Sequence, residues 1–427
     1  MSFYIKLLKW KKQMNRQEKS WILYDVANSA FVLVMITAVM PIFFKEFASA
    51  GLKPERSTAL WGYSNSLAAL IIGLAAPYLG TVADSRGFKK KFFTIFLITG
   101  IILTLLLTGV EKNNWFTCLL IFAGARICWA GANIFYDSFL VDICEENRRD
   151  KISSFGFAFG YIGSVIPFLA VIGILLGGGD RINEGNGIYY KAGFIITALW
   201  WAAFSIPALK NLHEREYSGR TEKTGTFRKF MKELGAVRKN RKVLLFLGAY
   251  FLYIDGVDTI ISMAGAYGLD SGLDKVTLIS AILAIQILAF PFAILFGKLS
   301  EYFKTKNVII SGIGVYLIIS VLAFFLPEFE SPAEKRTVFW IISVLVATSM
   351  GGIQALSRSY YSKIIPPEKS SEYFGIYNIF GKFAAIMGPF LMALTIEITG
   401  HSRNGVIPII GLFLCGAILL NISDREK

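Results

Sequence analysis

The chain of 427 residues is 54% hydrophobic and only 17% charged, with a formal net charge of +14 at pH 7. An ordinary soluble chain carries about 25% charged residues, so this composition excludes a soluble enzyme, a disordered or fibrous chain and a disulfide scaffold, and fits a polytopic helical membrane protein. The positive balance reads as lysine and arginine gathered in cytoplasmic loops, and no nucleic-acid partner is expected.

Residues 1–20 form a basic N-terminus in which FYIKLLKWKK could lie as a short interfacial helix. Twelve apolar segments follow, over 21–44, 59–79, 92–109, 115–141, 153–177, 190–209, 243–267, 276–297, 308–326, 337–357, 371–395 and 405–423. A spanning helix needs roughly 20 apolar residues. In lipid the backbone must satisfy its own hydrogen bonds, so these runs predict helices. The first is too long for a signal-peptide core, and no small-residue cleavage site follows it, so it is expected to be retained. The polar stretch 210–242 divides the chain into two six-helix bundles, 21–209 and 243–427 with a short tail. In that stretch TFRKFMKELGAVRKNRK sets Phe227, Phe230, Met231 and Leu234 on one face against basic residues. A helix lying on the membrane and a solvated basic linker both fit. With the N-terminus placed inside, Lys and Arg favour inside segments over outside loops by roughly three to one. Both termini are therefore expected in the cytoplasm.

The halves resemble each other. GTVAD (80–84) follows segment 2 as GKLSE (297–301) follows segment 8. An FG pair opens segments 5 and 11, with Pro167 and Pro389 behind it. Asp25-x-x-Asn28-Ser29 in segment 1 matches Asp255-x-x-Asp258-Thr259 in segment 7. Duplicated six-helix halves are a secondary-transporter architecture, with the substrate site between them near the midplane.

Ionisable groups at membrane depth cost at least about 2.5 kcal/mol each and are candidates for function. Arg126 falls near the middle of segment 4 and Lys382 near the middle of segment 11. Asp255 and Asp258 share a face of segment 7, one turn apart. Two carboxylates that close do not both ionise easily, so one could carry a proton. Asp25 and Asn28 repeat that spacing, and Asp137 and Arg358 lie nearer the cytoplasmic ends of segments 4 and 10. The alternative is structural pairing, of Arg126 with a carboxylate or of Lys382 with Asp258. Charges of both signs suit a polar or zwitterionic solute. Tyr136, Tyr161, Tyr253 and Tyr377 sit beside these polar groups, where packing competes with ligand binding. The glycine-rich FGFAFGYIG of segment 5 permits close helix approach. The four cysteines, Cys118, Cys128, Cys144 and Cys415, form no CxxC pair, and the two histidines, His213 and His401, lie in polar stretches. Hence no metal site and no cofactor is expected. No GxxxxGK[ST] occurs, which disfavours an ATP-driven pump.

The loop GTVADSRGFKKK resembles the signature loop of the major facilitator superfamily, at Gly80, Asp84, Gly87, Lys89 and Lys90. Gly80 would allow close helix packing and Gly87 a tight turn. Asp84 could bond a neighbouring helix N-terminus. The blocks YDVANSAF (24–31), SSFGFAFGYIG (153–163), WWAAFSIP (200–207), FLYIDGVDTI (251–260) and GGIQALSRSYYSKIIP (351–366) resemble the vacuolar amino-acid effluxers of autophagy and their bacterial relatives. This resemblance spans nearly the whole chain. It implies a two-bundle fold, alternating access, and a cavity lined by helices 1, 4, 7 and 10. Asp25, Asn28, Arg126, Asp255, Asp258 and Gln354 fall on those helices, and Lys382 on helix 11. It also implies a latch at the signature loop, with Glu301 in the second copy. Two departures matter. Gly163 and Pro167 are separated, unlike the antiporter signature of helix 5. Gly131 stands five residues after Arg126, where the helix 4 arginine motif has four.

The expectation is therefore a membrane transporter of a small polar or zwitterionic solute, amino acids first, with possible coupling to protons. Export of lysophospholipids or glycerophosphodiesters, and a non-transporting receptor or scaffold, are the alternatives. A membrane enzyme is disfavoured by the lack of a nucleophile–base constellation. The expected partners are the small-molecule substrate and the lipid bilayer, for a monomer in a bacterial plasma membrane.

Overall fold

The computed structural model describes residues 14–178, 187–215, 240–270, 273 and 275–423. The surface helix considered for 227–234 and the N-terminal FYIKLLKWKK lie outside the described residues.

Among the described residues twelve long helices follow one another. They are α1 (Arg16–Ala48), α2 (Pro54–Arg86), α3 (Lys89–Leu106), α4 (Trp115–Ser138, continued by Leu140–Ile143), α5 (Glu146–Gly178) and α6 (Ile188–Asn211). After the linker come α7 (Arg241–Asp270), α8 (Lys275–Tyr302), α9 (Thr305–Phe325), α10 (Pro332–Ile364), α11 (Ser370–Thr399) and α12 (Ile407–Ser423). Eleven contain an apolar window long enough to cross a bilayer, and α11 contributes the shorter apolar stretch Met387–Thr399. The helices run past the predicted apolar segments because polar end turns continue the backbone ladder beyond the hydrocarbon. Thus 153–177 extends back to Glu146, and 337–357 reaches Ile364.

Local chemistry sets the helix ends. Asn15 and Glu18 form a reciprocal capping box at the start of α1. Gly87 closes α2 in the left-handed conformation (φ 68°), and the Phe88 N–H returns to the Ala83 carbonyl. Within α1 the backbone winds as a π-helix over Phe31–Ala38 and Phe44–Ala48, on either side of Pro41. Proline cannot donate to the residue four back, and the ladder shifts around it.

Two hydrophobic cores form. One is built on α1 to α6 around Trp21, Phe31, Phe43, Phe122 and Trp201, and the other on α7 to α12 around Phe246, Tyr253, Tyr316 and Phe413. Between the bundles α2 lies against α11, and α5 lies against α8 and α10. Isoleucines and leucines such as Leu74, Leu120, Ile287 and Ile398 are exposed on the outside, where a bilayer would solvate them. With an even number of crossings, the start of α1 and the end of α12 share one face with the loop at 87–88. That face is called the loop end below.

Candidate functional site

At the loop end a polar seam joins the bundles. Arg358 of α10 reaches into the first bundle and is almost completely buried. Its Nη2 donates to Asp25 Oδ2 (3.1 Å) and its Nη1 to Asp137 Oδ1 (3.1 Å). Nε donates to Ser153 Oγ (2.9 Å), and Nη2 also meets the Ser153 carbonyl (3.1 Å). The guanidinium lies over the rings of Trp21 (4.5 Å) and Phe157 (4.4 Å). Its planar fork suits two carboxylates and two aromatic faces at once. Asn28 Nδ2 donates to Asp25 Oδ1 (3.3 Å), so the pair expected from the Asp-x-x-Asn spacing meets the helix 10 arginine. The α5 residue facing this knot is Gly156. A Cβ there would collide with the Asp25 carboxylate and stand 2.9 Å from Trp21. Gly156→Ala is expected to destabilise the protein by about 1–3 kcal/mol through overpacking. A melting temperature in detergent equal to wild type would contradict that.

The signature loop makes the second part of the seam. Asp84 accepts the backbone N–H groups of Ser371 (3.2 Å) and Glu372 (2.9 Å), the first turn of α11. An anion there satisfies orphan donors and meets the positive end of the helix dipole. Gly80, one turn earlier, lies so close to α11 that a Cβ would come within 2.5 Å of the Ser371 carbonyl oxygen. Lys89 is buried, and its Nζ bonds Asp142 Oδ2 (2.6 Å) and Ser370 Oγ (2.8 Å). The Lys90 backbone N–H donates to Glu214 Oε1 (3.0 Å). Glu301 does not repeat the arrangement of Asp84. It is exposed and 3.7 Å from Lys151 of α5. Asp150 fills the tight position on that side, accepting from Ser359 Oγ (2.5 Å), Thr305 Oγ1 (2.7 Å) and Lys363 Nζ (2.6 Å). Arg149 adds a bond from Nη1 to the Ser362 carbonyl (2.6 Å).

The remaining candidates lie further from the loop end. Gln354 accepts from the Tyr161 hydroxyl (3.0 Å) across the bundles. Asp255 is fully buried, with Oδ1 accepting the Gly388 N–H of α11 (2.7 Å), while Oδ2 has no hydrogen-bond partner among the described residues. Asp258 is half-buried and has electrostatic company. The side chain of Lys382 lies outside the described residues. Arg126 is half-buried, with no carboxylate partner among the described residues. Asp25 and Asn28 therefore gather around Arg358, and Gly80, Asp84 and Lys89 around the start of α11. Arg126, Asp255 and Gln354 stay apart. Sequence reasoning singled out Arg358 and Asp137 as intramembrane ionisable groups without their partners, and did not place Asp142, Asp150 or Lys363 at a site. The available signal was the cost of burying Arg358 within an apolar helix.

Residues 51–427 match the family model described as "Vacuole effluxer Atg22 like". The chain is 43% identical over 419 residues to the uncharacterized MFS-type transporter YxiO of Bacillus subtilis (strain 168), covering 97% of this chain and 96% of that one. It is 22% identical over 417 residues to autophagy-related protein 22 of Pichia angusta, covering 83% and 73%. The human organic anion transporter MFSD10 (TETRAN) superposes with a TM-score of 0.72 at 12% identity, over 95% of this chain and 99% of that one, a likeness of fold.

Proposed function

The chain belongs to the Atg22-like vacuole effluxer family, within the major facilitator superfamily, and from that premise we propose that it moves a small polar or zwitterionic solute, amino acids first, by alternating access. The observation that carries this reading is the distribution of polar contacts. The loop end is sealed between the bundles by Arg358, Asp84, Lys89 and Asp150, while Arg126 stands about 16 Å beyond Asp137 along α4, and Asp258 about 8 Å beyond Tyr253 of α7, whose hydroxyl meets Ser357 next to Arg358, at the usual helical rise. A closed gate below a polar level is half of an alternating-access cycle. Transport requires that seam to open while the opposite end closes. The signature-loop residues Gly80, Asp84, Gly87, Lys89 and Lys90 act as latch, with Glu301 and Lys151 a weaker pair on the other side. Asp255 and Asp258 provide the carboxylates for proton coupling, Asp255 through its unpartnered oxygen. By the bias of positive charge the loop end faces the cytoplasm of a bacterial plasma membrane.

One feature favours the second reading, an amphipathic phosphodiester or lysolipid. An apolar crevice of about 650 Å³ opens between α7, α8 and α10, lined by Ile260, Leu278, Ile282, Phe339 and Met350, with Gln286 as a polar group. Flux from proteoliposomes loaded with both classes of solute, followed by mass spectrometry, separates the two. The expected result is amino-acid efflux that responds to an imposed pH gradient and loses that response in Asp255→Asn. Efflux of phosphodiesters alone would replace the first reading by the second, and no flux of any solute would remove both.

A further inference from the structure

We propose that the α2–α4 seam of the first bundle holds the head group of an α-amino acid, with Arg126 taking its carboxylate and the Asn65 side-chain oxygen its ammonium. The inference rests on the transport reading above and names where its solute is recognised.

The register of the two helices carries the argument. Trp61 of α2 stacks on Phe122 of α4, with ring centroids 4.7 Å apart. Further toward the loop end, Ile72 and Gly73 share a small cavity with Ala130 and Ile134. Both helices run in the same direction, so the positions between these contacts pair with each other. Asn65 is one turn beyond Trp61, and Arg126 is one turn beyond Phe122. The register set by the Trp61–Phe122 pair therefore puts Asn65 and Arg126 at one level of the seam.

Their hydrogen bonding is incomplete in a complementary way. Arg126 brings five N–H donors and a full charge, with no carboxylate against it among the described residues. Asn65 has its amide fixed, since Nδ2 donates to the Trp61 carbonyl (2.8 Å). Its Oδ1 is therefore an acceptor, and it is buried with no hydrogen-bond partner among the described residues. The neighbouring Ser64 Oγ and, two turns along the Arg126 face, Asn133 Oδ1 are buried and likewise have no hydrogen-bond partner among the described residues. Buried polar groups are ordinarily satisfied. A cation and acceptors left without partners among the described residues, at one level of the seam, call for one ligand that carries both an anion and N–H donors. A primary α-amino acid has both within one small group. A choline phosphodiester has the anion but no N–H, and an inorganic anion offers no donor of the right charge.

The test is ligand-induced thermal stabilisation of the full-length protein in detergent, with tryptophan fluorescence from the Trp61 region as a second readout. The probes are a panel of neutral L-amino acids, their carboxamides, trimethylglycine, glycerophosphocholine and inorganic phosphate. At least one amino acid is expected to stabilise the wild type, and its carboxamide and trimethylglycine are not. Arg126→Gln is expected to melt no lower than wild type when empty, because it removes a buried charge without breaking a pair. It should bind the same amino acid at least about tenfold more weakly, with Arg126→Lys intermediate. Asn65→Ala should lose the preference for a primary ammonium over trimethylglycine. Equal binding of the amino acid and its carboxamide would overturn the proposal. So would wild-type affinity in Arg126→Gln, stabilisation by glycerophosphocholine or phosphate alone, or no stabilisation by any amino acid at millimolar concentration. These binding outcomes are independent of flux, so transport can survive their failure.

Discussion

Arg358→Ala is expected to abolish measurable transport and to leave the protein open at the loop end. The substitution strands Asp25 and Asp137, whose side chains are 10% and 14% exposed and lose the cation they share. Breaking a buried pair from one side costs about 3–5 kcal/mol, because the surviving charge stays buried without compensation. Here the pair joins the two bundles, so much of the cost falls on the closed arrangement. At 1.4 kcal/mol per factor of ten, the equilibrium between closed and open moves by roughly a hundredfold or more. A thiol placed at buried Ala355, beside the Ser153 hydroxyl of the facing bundle, reports the opening. In a Cys415→Ala background this Ala355→Cys thiol should be inert to a polar maleimide, and should react once Arg358 is replaced. The other three cysteines are buried. Arg358→Lys should rescue little, since a point charge cannot bridge two carboxylates and stack on Trp21 and Phe157 together. Neutralising all three groups, with Arg358→Met, Asp25→Asn and Asp137→Asn, should restore thermal stability without restoring transport. Continued protection of Ala355→Cys in Arg358→Ala would show that the seam is held elsewhere.

The second large effect is expected at the signature loop. Asp84→Ala removes the acceptor for two backbone donors at the start of α11. Loss of such a cap costs about 0.5–2 kcal/mol, with a further contribution of about 0.3–1 kcal/mol from the helix dipole. Asp84→Asn keeps one acceptor and loses the charge, so its effect should be smaller. Gly80→Ala should act in the same direction by a different route, pushing α2 away from the Ser371 carbonyl. The same Ala355→Cys thiol should become accessible in all three, in the order Gly80→Ala and Asp84→Ala above Asp84→Asn. Accessibility unchanged in both Asp84→Ala and Gly80→Ala would leave the loop without a gating role. By contrast Glu301→Gln should change little, because its ion pair with Lys151 is long and exposed.

The asymmetry between the two copies of the loop follows from what each carboxylate touches. Asp84 meets a helix N-terminus, where backbone N–H groups have no other partner. Glu301 has one more methylene and sits in solvent, while Asp150 binds the hydroxyls and the ammonium between α5, α9 and α10. The two signature-like loops thus differ in their polar contacts.

Membrane class, the apolar helices, the family and the backbone role of Gly87 were all determined by the sequence alone. Each depends on local properties, namely apolar run length, the cost of an unsatisfied backbone in lipid and the freedom of one residue to take positive φ. The partners of the buried charges were not. Arg358 meets Asp137 and Asp25 across 221 and 333 residues of chain, and Lys89 meets Ser370 across 281. Composition gives the sign of such groups, but their attraction depends on separation in space. Only the packing of α10 against α5, with Gly156 leaving the room, decided that Arg358 is bound in the seam.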